Sequence, residues 1–291
     1  HYEWLPILLP VTSVTPSKNS LGGGNGSATQ EMTRTRRPAI NPPGAAAFSP
    51  RSQAGSVWRM RVLELWRYPI KSVGGEPLTE AEITETGIRH DRGWGLVDDV
   101  TGNVLTARRE PKLLFGNARV VDGAPVVTTH DGRELHSSTD LSEWLERPVT
   151  LATAAGEEGG TYEVPLDFEN DDGWVSWQGP GDAWHDSSVS RVSLLSTESL
   201  GDWDIRRFRS NVLLEGRGED TLLGAEVDLG EARLGVMKQI DRCVIVTRPQ
   251  PGLPRDLDVL RTINTDHGTC LSVGALVVTP GIVRVGDELR K

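Results

Sequence analysis

From Met60 onward the chain is written in short apolar runs, each broken within about ten residues by Gly, Pro, Asn or Asp. A long helix needs an apolar face sustained over several turns, so this punctuation selects a strand-rich fold. Val62 to Tyr68 reads as a strand, and Leu78 to Ile83 alternates apolar and polar like a half-buried one. Trp94–Val97 and Val104–Thr106 flank a polar hairpin loop, and Asn117–Val121 and Val126–Thr129 flank another around Asp122-Gly123-Ala124-Pro125. A short helix follows, capped by Ser138 or Thr139, with Leu141, Trp144 and Leu145 on one face. Ala152–Gly160 and Glu169–Gly181 are acidic and Gly-rich and read as loops. Val192–Leu195, Val212–Glu215, Glu226–Leu229, Ala232–Val236, Gln239–Thr247, Leu276–Thr279 and Ile282–Val285 read as strands. Ser196–Phe208 has a capped, helix-like start, and Leu257–Ile263 reads as a short helix. The expected class is mainly β with some helix (α+β).

The first 59 residues differ in kind. They carry six Lys/Arg and two Asp/Glu, a net of +4, against −14 for residues 60–291, which together make the chain's −10. They are rich in Ser, Gly, Pro and Arg and bury too little apolar surface to offset their ordering entropy. The expectation is a disordered extension over 1–59, upstream of a true start at Met60. Two β-rich units then follow, 60–150 and 151–291. An acidic chain is a poor general nucleic-acid binder, because phosphate needs a basic face. No stretch approaches the length of apolar sequence that spans a membrane. Two cysteines 27 positions apart make no disulfide framework and no four-ligand zinc site. They point to a reduced compartment, read here as cytoplasmic.

Those cysteines are Cys243 and Cys270. Cys243 follows Asp241-Arg242 and lies five residues after Lys238. Positive neighbours favour a thiolate, the form that attacks carbon or binds a soft metal, while Asp241 opposes them. A packed core cysteine reads as well locally. A cysteine-hydrolase reading needs His185 or His267 beside it. Several turns carry donors for an anion: Lys71 and Ser72 before Gly74-Gly75, Arg92 entering a strand, Arg108-Arg109 after one, and Arg209 with Asn211 before another. Each is bland alone, as a solvated turn or a local ion pair. Ser187 and Ser188, after His185-Asp186, have no nucleophile elbow around them.

In order along the chain, Trp66–Ser72, Asp91–Trp94, Leu105–Arg108, His185–Ser188, Arg207–Asn211, Arg242–Val244 and Pro280–Asp287 resemble MOSC proteins. The first three resemble the N-terminal MOSC β-barrel module and the last four the MOSC domain. The resemblance covers nearly all of 60–291. It implies a β-barrel-like module followed by a β-barrel MOSC domain, with a pyranopterin molybdenum cofactor between them. Cys243 then corresponds to the molybdenum ligand of the amidoxime-reducing relatives. Lys71, Ser72, Arg92, Ser187, Ser188, Arg209, Asn211, Asp241 and Arg242 correspond to cofactor-contacting positions. Asp241 stands where those relatives have a small polar residue, and Gly274 where they have an aromatic one.

The implied activity is reduction of N-hydroxylated or similar N–O and S–O compounds. The chain has no cysteine cluster for an iron–sulfur centre, so a separate flavin or ferredoxin-type partner is expected to bring electrons. Pyridoxal phosphate is not expected, because no cysteine-desulfurase half accompanies these motifs. The alternative is a carrier that holds the cofactor, or sulfur as a persulfide, on Cys243.

Overall fold

Val62 and Leu65 are three residues apart yet both point into the core of Arg61–Arg67 (β1). A register shift between Val62 and Glu64, against the neighbouring strand, makes this possible. A bulge of this kind reverses the alternation of an ideal strand and bends it, which lets a sheet curl. In the computed structural model, residues 60–154 and 159–291 are described. The extension expected over 1–59 lies outside the described residues.

Glu76–Leu78 (β2), Glu80–Thr84 (β3), Gly87–Ile88 (β4) and Trp94–Asp98 (β5) follow β1. Gly116–Val121 (β6), Ala124–Thr129 (β7) and Glu134–Leu135 (β8) form a meander, and Ser138–Leu145 (α1) leads to Val149–Thr153 (β9), which pairs with β5. Thr161–Asp167 (β10) and Asp172–Gln178 (β11) form a separate hairpin. Val192–Ser196 (β12), Thr197–Leu200 (α2), Val212–Glu215 (β13), Glu226–Leu229 (β14) and Ala232–Asp241 (β15) come next. Leu257–Asp266 (α3), Cys270–Thr279 (β16), Gly281–Arg284 (β17) and Leu289–Arg290 (β18) end the chain.

The largest sheet runs β18-β14-β15-β16-β12-β13-β1-β2, so it joins strands from both sides of residue 150. Its inner face buries Val62, Leu65, Leu194, Val212, Leu214, Leu234 and Val273. A second core, under α1, gathers Ile70, Val73, Leu96, Leu113, Val127 and Leu141. A third packs Phe208, Leu213 and Val246 against Val259, Leu260 and Ile263 of α3. Strands β12 and β13 are parallel. Parallel neighbours need a crossover, because the chain must return to the same end of the sheet. That crossover brings Arg207 to the Val246 carbonyl and the Phe208 carbonyl to Arg242, beside Cys243, and ends on Asn211 at the start of β13.

Several local expectations change. Gln239–Thr247 is not one strand: β15 stops at Asp241, and Val244–Thr247 is a 3-10 turn with Cys243 at its N-cap. The Val-Ile-Val run signals burial, which this turn achieves with Val244 and Val246 facing the core. Glu169–Gly181 is not all loop, since it contains β11, a mostly exposed strand whose acidic lead-in hid it. Leu78–Ile83 is split at Thr79, with β2 pairing β1 and β3 pairing β17. Val104–Thr106 makes a single bridge, Val97 to Val104. Ser137, not Ser138, caps α1, in a capping box with Asp140. No helix among the described residues is long and apolar enough to cross a membrane.

Leu194 is fully buried in β12, between β16 and β13. Leu194→Ala should lower stability by about 2–5 kcal/mol through lost burial and a residual cavity. Urea unfolding should read this as a lower midpoint at unchanged slope.

Candidate functional site

Cys243 is half-buried, in extended backbone at the start of the 3-10 turn. The far end of that turn is gripped by buried arginines. Arg207 donates through Nη1 to the Val246 and Arg248 carbonyls at 3.1 and 3.3 Å, and through Nη2 to Pro254 O at 2.9 Å. Arg248 donates to Arg108 O at 2.7 Å and makes a fork on the Asp171 carboxylate with both contacts at 2.6 Å. Arg108 lies close enough to Asp186 and Cys243 for both to favour its charged guanidinium. Burial opposes them but is outweighed, so Arg108 sits above its ordinary pKa.

Asp186 bridges two buried cations, Oδ1 to Lys71 Nζ at 2.6 Å and Oδ2 to Arg108 Nη2 at 2.9 Å. Its own side chain is 50% exposed, against 7% for each partner. Burial pushes the Asp186 carboxyl up, but Arg108 and Lys71 prevail and hold it well below the usual carboxylate range. Lys71 also donates to Trp184 O at 2.8 Å and lies 4.2 Å from the centre of the Tyr162 ring. Burial brings Lys71 down to about 8, with Asp186 pulling the other way.

Tyr68 organises the next pair. Arg92 and Arg209 lie 4.7 and 4.4 Å from its ring centre, contacts that favour a cation on an aromatic face. Arg92 pairs with Asp91, and Asp91 Oδ1 accepts from Tyr68 N at 2.8 Å. Arg209 donates to Val73 O, and burial with the nearby Arg92 brings it down to about 10. Arg92 and Arg242 hold consecutive carbonyls of the crossover, Arg209 O at 2.8 Å and Phe208 O at 2.9 Å. Arg242 also donates to Leu271 O at 2.8 Å and to Ser272 Oγ. Burial brings it to about 10, with Cys243 and Asp241 opposing.

The other sequence-derived residues are placed less uniformly. Ser72 is buried and has φ 66°. Ser187 Oγ accepts from Val189 N at 3.3 Å, and Ser188 is exposed. Asp241 is exposed and pairs with Lys238 at 3.0 Å. Asn211 turns to the sheet: its Oδ1 accepts from Ser193 N at 3.1 Å and Ser193 Oγ at 3.0 Å, and Nδ2 donates to Trp66 O at 3.3 Å. Gly274 backs onto the Ser190 side chain, where an added Cβ would lie 2.3 Å from Oγ. His185 Nε2 is buried without a partner and His267 packs on Trp203, so among the described residues neither histidine hydrogen-bonds the thiol. That removes the geometry a cysteine hydrolase needs.

Lys71, Arg92, Arg108, Arg209 and Arg242 supply five positive charges, and Asp91 and Asp186 two negative ones, a surplus of three in a chain of net −10. Arg108 Nε and Tyr162 OH are buried with no hydrogen-bond partner. This donor set suits an anionic ligand carrying several oxygens. Among the described residues no three His, Cys, Asp or Glu side chains are grouped for a metal ion. A metal at Cys243 would therefore bring ligands of its own, which the thiolate-plus-cation arrangement fits.

Two family descriptions match the chain: the MOSC N-terminal beta barrel domain over 59–158, and the MOSC domain over 181–290. The human protein "Mitochondrial amidoxime-reducing component 1" is 49% identical over 288 aligned residues, covering 78% of this chain and 82% of the relative. The mouse protein of the same name is 49% identical over 281, covering 78% and 81%. The chain belongs to the MOSC family. "Molybdenum cofactor sulfurase 2" of Aedes aegypti is 22% identical over 226 residues; the match covers 68% of this chain but only 28% of that relative's length.

The cytoplasmic location expected from the cysteines is corrected by these comparisons, because the human and mouse relatives are mitochondrial by name. Unpaired thiols report a reducing setting and do not distinguish one reducing compartment from another.

Sequence reasoning flagged Arg108 as an anion-pocket residue without tying it to Cys243. It missed Asp186 as the shared counter-ion, along with Arg248, Tyr68 and Tyr162. Asn211→Ala should cost about 1–3 kcal/mol, because the Ser193 amide is left buried and unpaired. Urea unfolding of the metal-free protein would check this, and a midpoint equal to that of the unsubstituted chain would refute it.

Proposed function

We propose that this chain is a molybdenum-cofactor reductase acting on N-hydroxylated or similar N–O and S–O compounds. The observation carrying this reading is the surplus of buried positive charge around a half-buried thiol in an acidic protein. The amidoxime-reducing names of relatives 49% identical over most of the chain support it. Bound there, the cofactor supplies a redox-active centre that accepts oxygen, chemistry no protein side chain provides.

The chain's own residues bind and orient. The Cys243 thiolate is a soft ligand suited to molybdenum. Lys71, Arg92 and Arg209, with the backbone turn at Ser72, hold the cofactor's phosphate and pterin by charge-assisted hydrogen bonds. Ser187 and Ser188 lie on the loop that carries Asp186 and add hydroxyl donors. Arg242 fixes the crossover against the strand end, so Cys243 and Arg209 keep one geometry. Asp241 and Asn211 act around this set, the first with Lys238 at the rim and the second from the sheet. Reduction of an N–OH group to N–H consumes two electrons and two protons and releases water. The electrons come from a separate flavin or ferredoxin-type protein. No pyridoxal phosphate takes part in this chemistry.

The likeness to a molybdenum cofactor sulfurase favours one second reading, a carrier of cofactor or persulfide sulfur on Cys243. Protein made in a cofactor-competent host separates the two. The reductase reading expects stoichiometric molybdenum and turnover of an amidoxime, with both lost in Cys243→Ala. A Cys243 persulfide in protein without molybdenum would sink it in favour of the carrier.

A further inference from the structure

Residues 159–180 fall between the two family segments, 59–158 and 181–290. The β10–β11 hairpin occupies that interval and is fastened to the site from tip to base. At the tip, Asp171 takes the Arg248 fork, and Glu169 accepts from Arg261 at 2.7 Å. Along its length, the Arg109 guanidinium lies 4.3 Å from the Trp174 ring centre. At its base, Tyr162 is fully buried beneath Lys71, with its ring 4.8 Å from that of Trp177. Gly179 crosses the other side so closely that a Cβ there would lie 2.0 Å from the ring.

The phenolic O–H of Tyr162 is buried and has no hydrogen-bond partner. A buried tyrosine hydroxyl normally finds one, because leaving it unpaired forfeits its hydration. Lys71 lies over the ring face, and Asp186 and Arg108 are near enough to act on the phenol. Burial, with the Asp186 carboxylate adding to it and Arg108 opposing, lifts the phenol above its ordinary range. It therefore remains a donor at neutral pH. Nearby, Asp186 spans Lys71 and Arg108 with one oxygen each and is half-exposed. That leaves Arg108 Nε unpaired and one ammonium donor of Lys71 without an oxygen, so an oxyanion with three oxygens would engage both cations beside Asp186 and keep one oxygen for a further donor.

We propose that Tyr162 is an additional ligand-binding residue of the Cys243 site, donating its O–H to an oxyanion that also engages Lys71 and Arg108. The hairpin is then a wall of the site built from outside the two family segments. The proposal rests on the reductase reading only in that the site takes an anionic ligand. The oxyanion is either the phosphate of a bound cofactor or an anionic oxygen of a substrate.

Tyr162→Phe removes one oxygen and keeps the ring under Lys71. With metal-free protein and inorganic phosphate as the probe, calorimetry should give a Kd about tenfold weaker than the unsubstituted chain, the loss of one charge-assisted hydrogen bond. The ligand-free variant should melt at the same temperature or higher, because no protein hydrogen bond is lost. In loaded protein, molybdenum lost faster on dialysis assigns the oxyanion to the cofactor. Unchanged molybdenum with a raised KM assigns it to the substrate. The proposal is overturned if phosphate affinity, molybdenum retention and KM all match the unsubstituted chain. A lowered melting temperature as the sole change would likewise overturn it, marking a structural hydroxyl. A chain that never acquires molybdenum sinks the reductase reading and leaves the phosphate measurement standing as its own test.

Discussion

Five cations held around one thiol with two carboxylates is a configuration that opposes folding unless each charge is solvated by the protein. Here the solvation is mostly backbone and aromatic. Arg92, Arg209 and Arg242 donate to carbonyls of Arg209, Val73, Leu271 and Phe208. Tyr68 presents its ring to two of them. Carbonyls and π faces stabilise a guanidinium without neutralising it, so the positive potential survives for a ligand. Carboxylates in the same places would cancel that potential.

The topology follows from this requirement. Arg207, Arg209 and Asn211 come from the crossover that the parallel β12–β13 pair demands, and Arg242 and Cys243 from the end of β15. Lys71 and Arg92 come from turns beside β1 and β5. Four separate stretches of chain meet, tied by Arg92 and Arg242 holding adjacent carbonyls of the crossover. The cation contacts double as the joints between the segments.

Much of this was legible in the sequence because the site sits on turns. Lys71 before Gly74-Gly75, Arg92 before Gly93 and Arg209 before β13 each pair a charged donor with a strand boundary, and both signals are local. The mainly-β class was legible for the same reason, in the punctuation of short apolar runs. What stayed hidden depends on contacts across the chain. Asp186 is separated from Lys71 by 115 positions and from Arg108 by 78, and nothing around it marks a carboxylate shared by two cations. Arg248 reads as the end of an apolar run, yet its partners are Asp171 and the Arg108 carbonyl. The Val244–Thr247 turn was misread because periodicity reports burial, and a 3-10 turn under α3 buries valines as well as a strand does.

Four residues in or against this cluster also adopt a backbone conformation that glycine reaches more easily. Ser72, Arg92, Arg209 and Ser272 have φ of 66°, 51°, 53° and 76°, the left-handed region that side chains disfavour. Each such residue costs on the order of 1 kcal/mol relative to a glycine at the same place. Glycine would relieve the strain at all four positions, and the chain uses it freely at other turns, such as Gly102 and Gly123. Two of the four instead carry a guanidinium against Tyr68, and Ser272 accepts from Arg242. Left-handed side chains also occur away from the site, at Asp122 and Glu146, but these three each carry a contact that a glycine could not make. At Arg209 the left-handed conformation also belongs to the segment whose Phe208 and Arg209 carbonyls are held by Arg242 and Arg92. A glycine there would loosen the joint and remove a cation together, so the fold and the cation cluster are specified by the same residue.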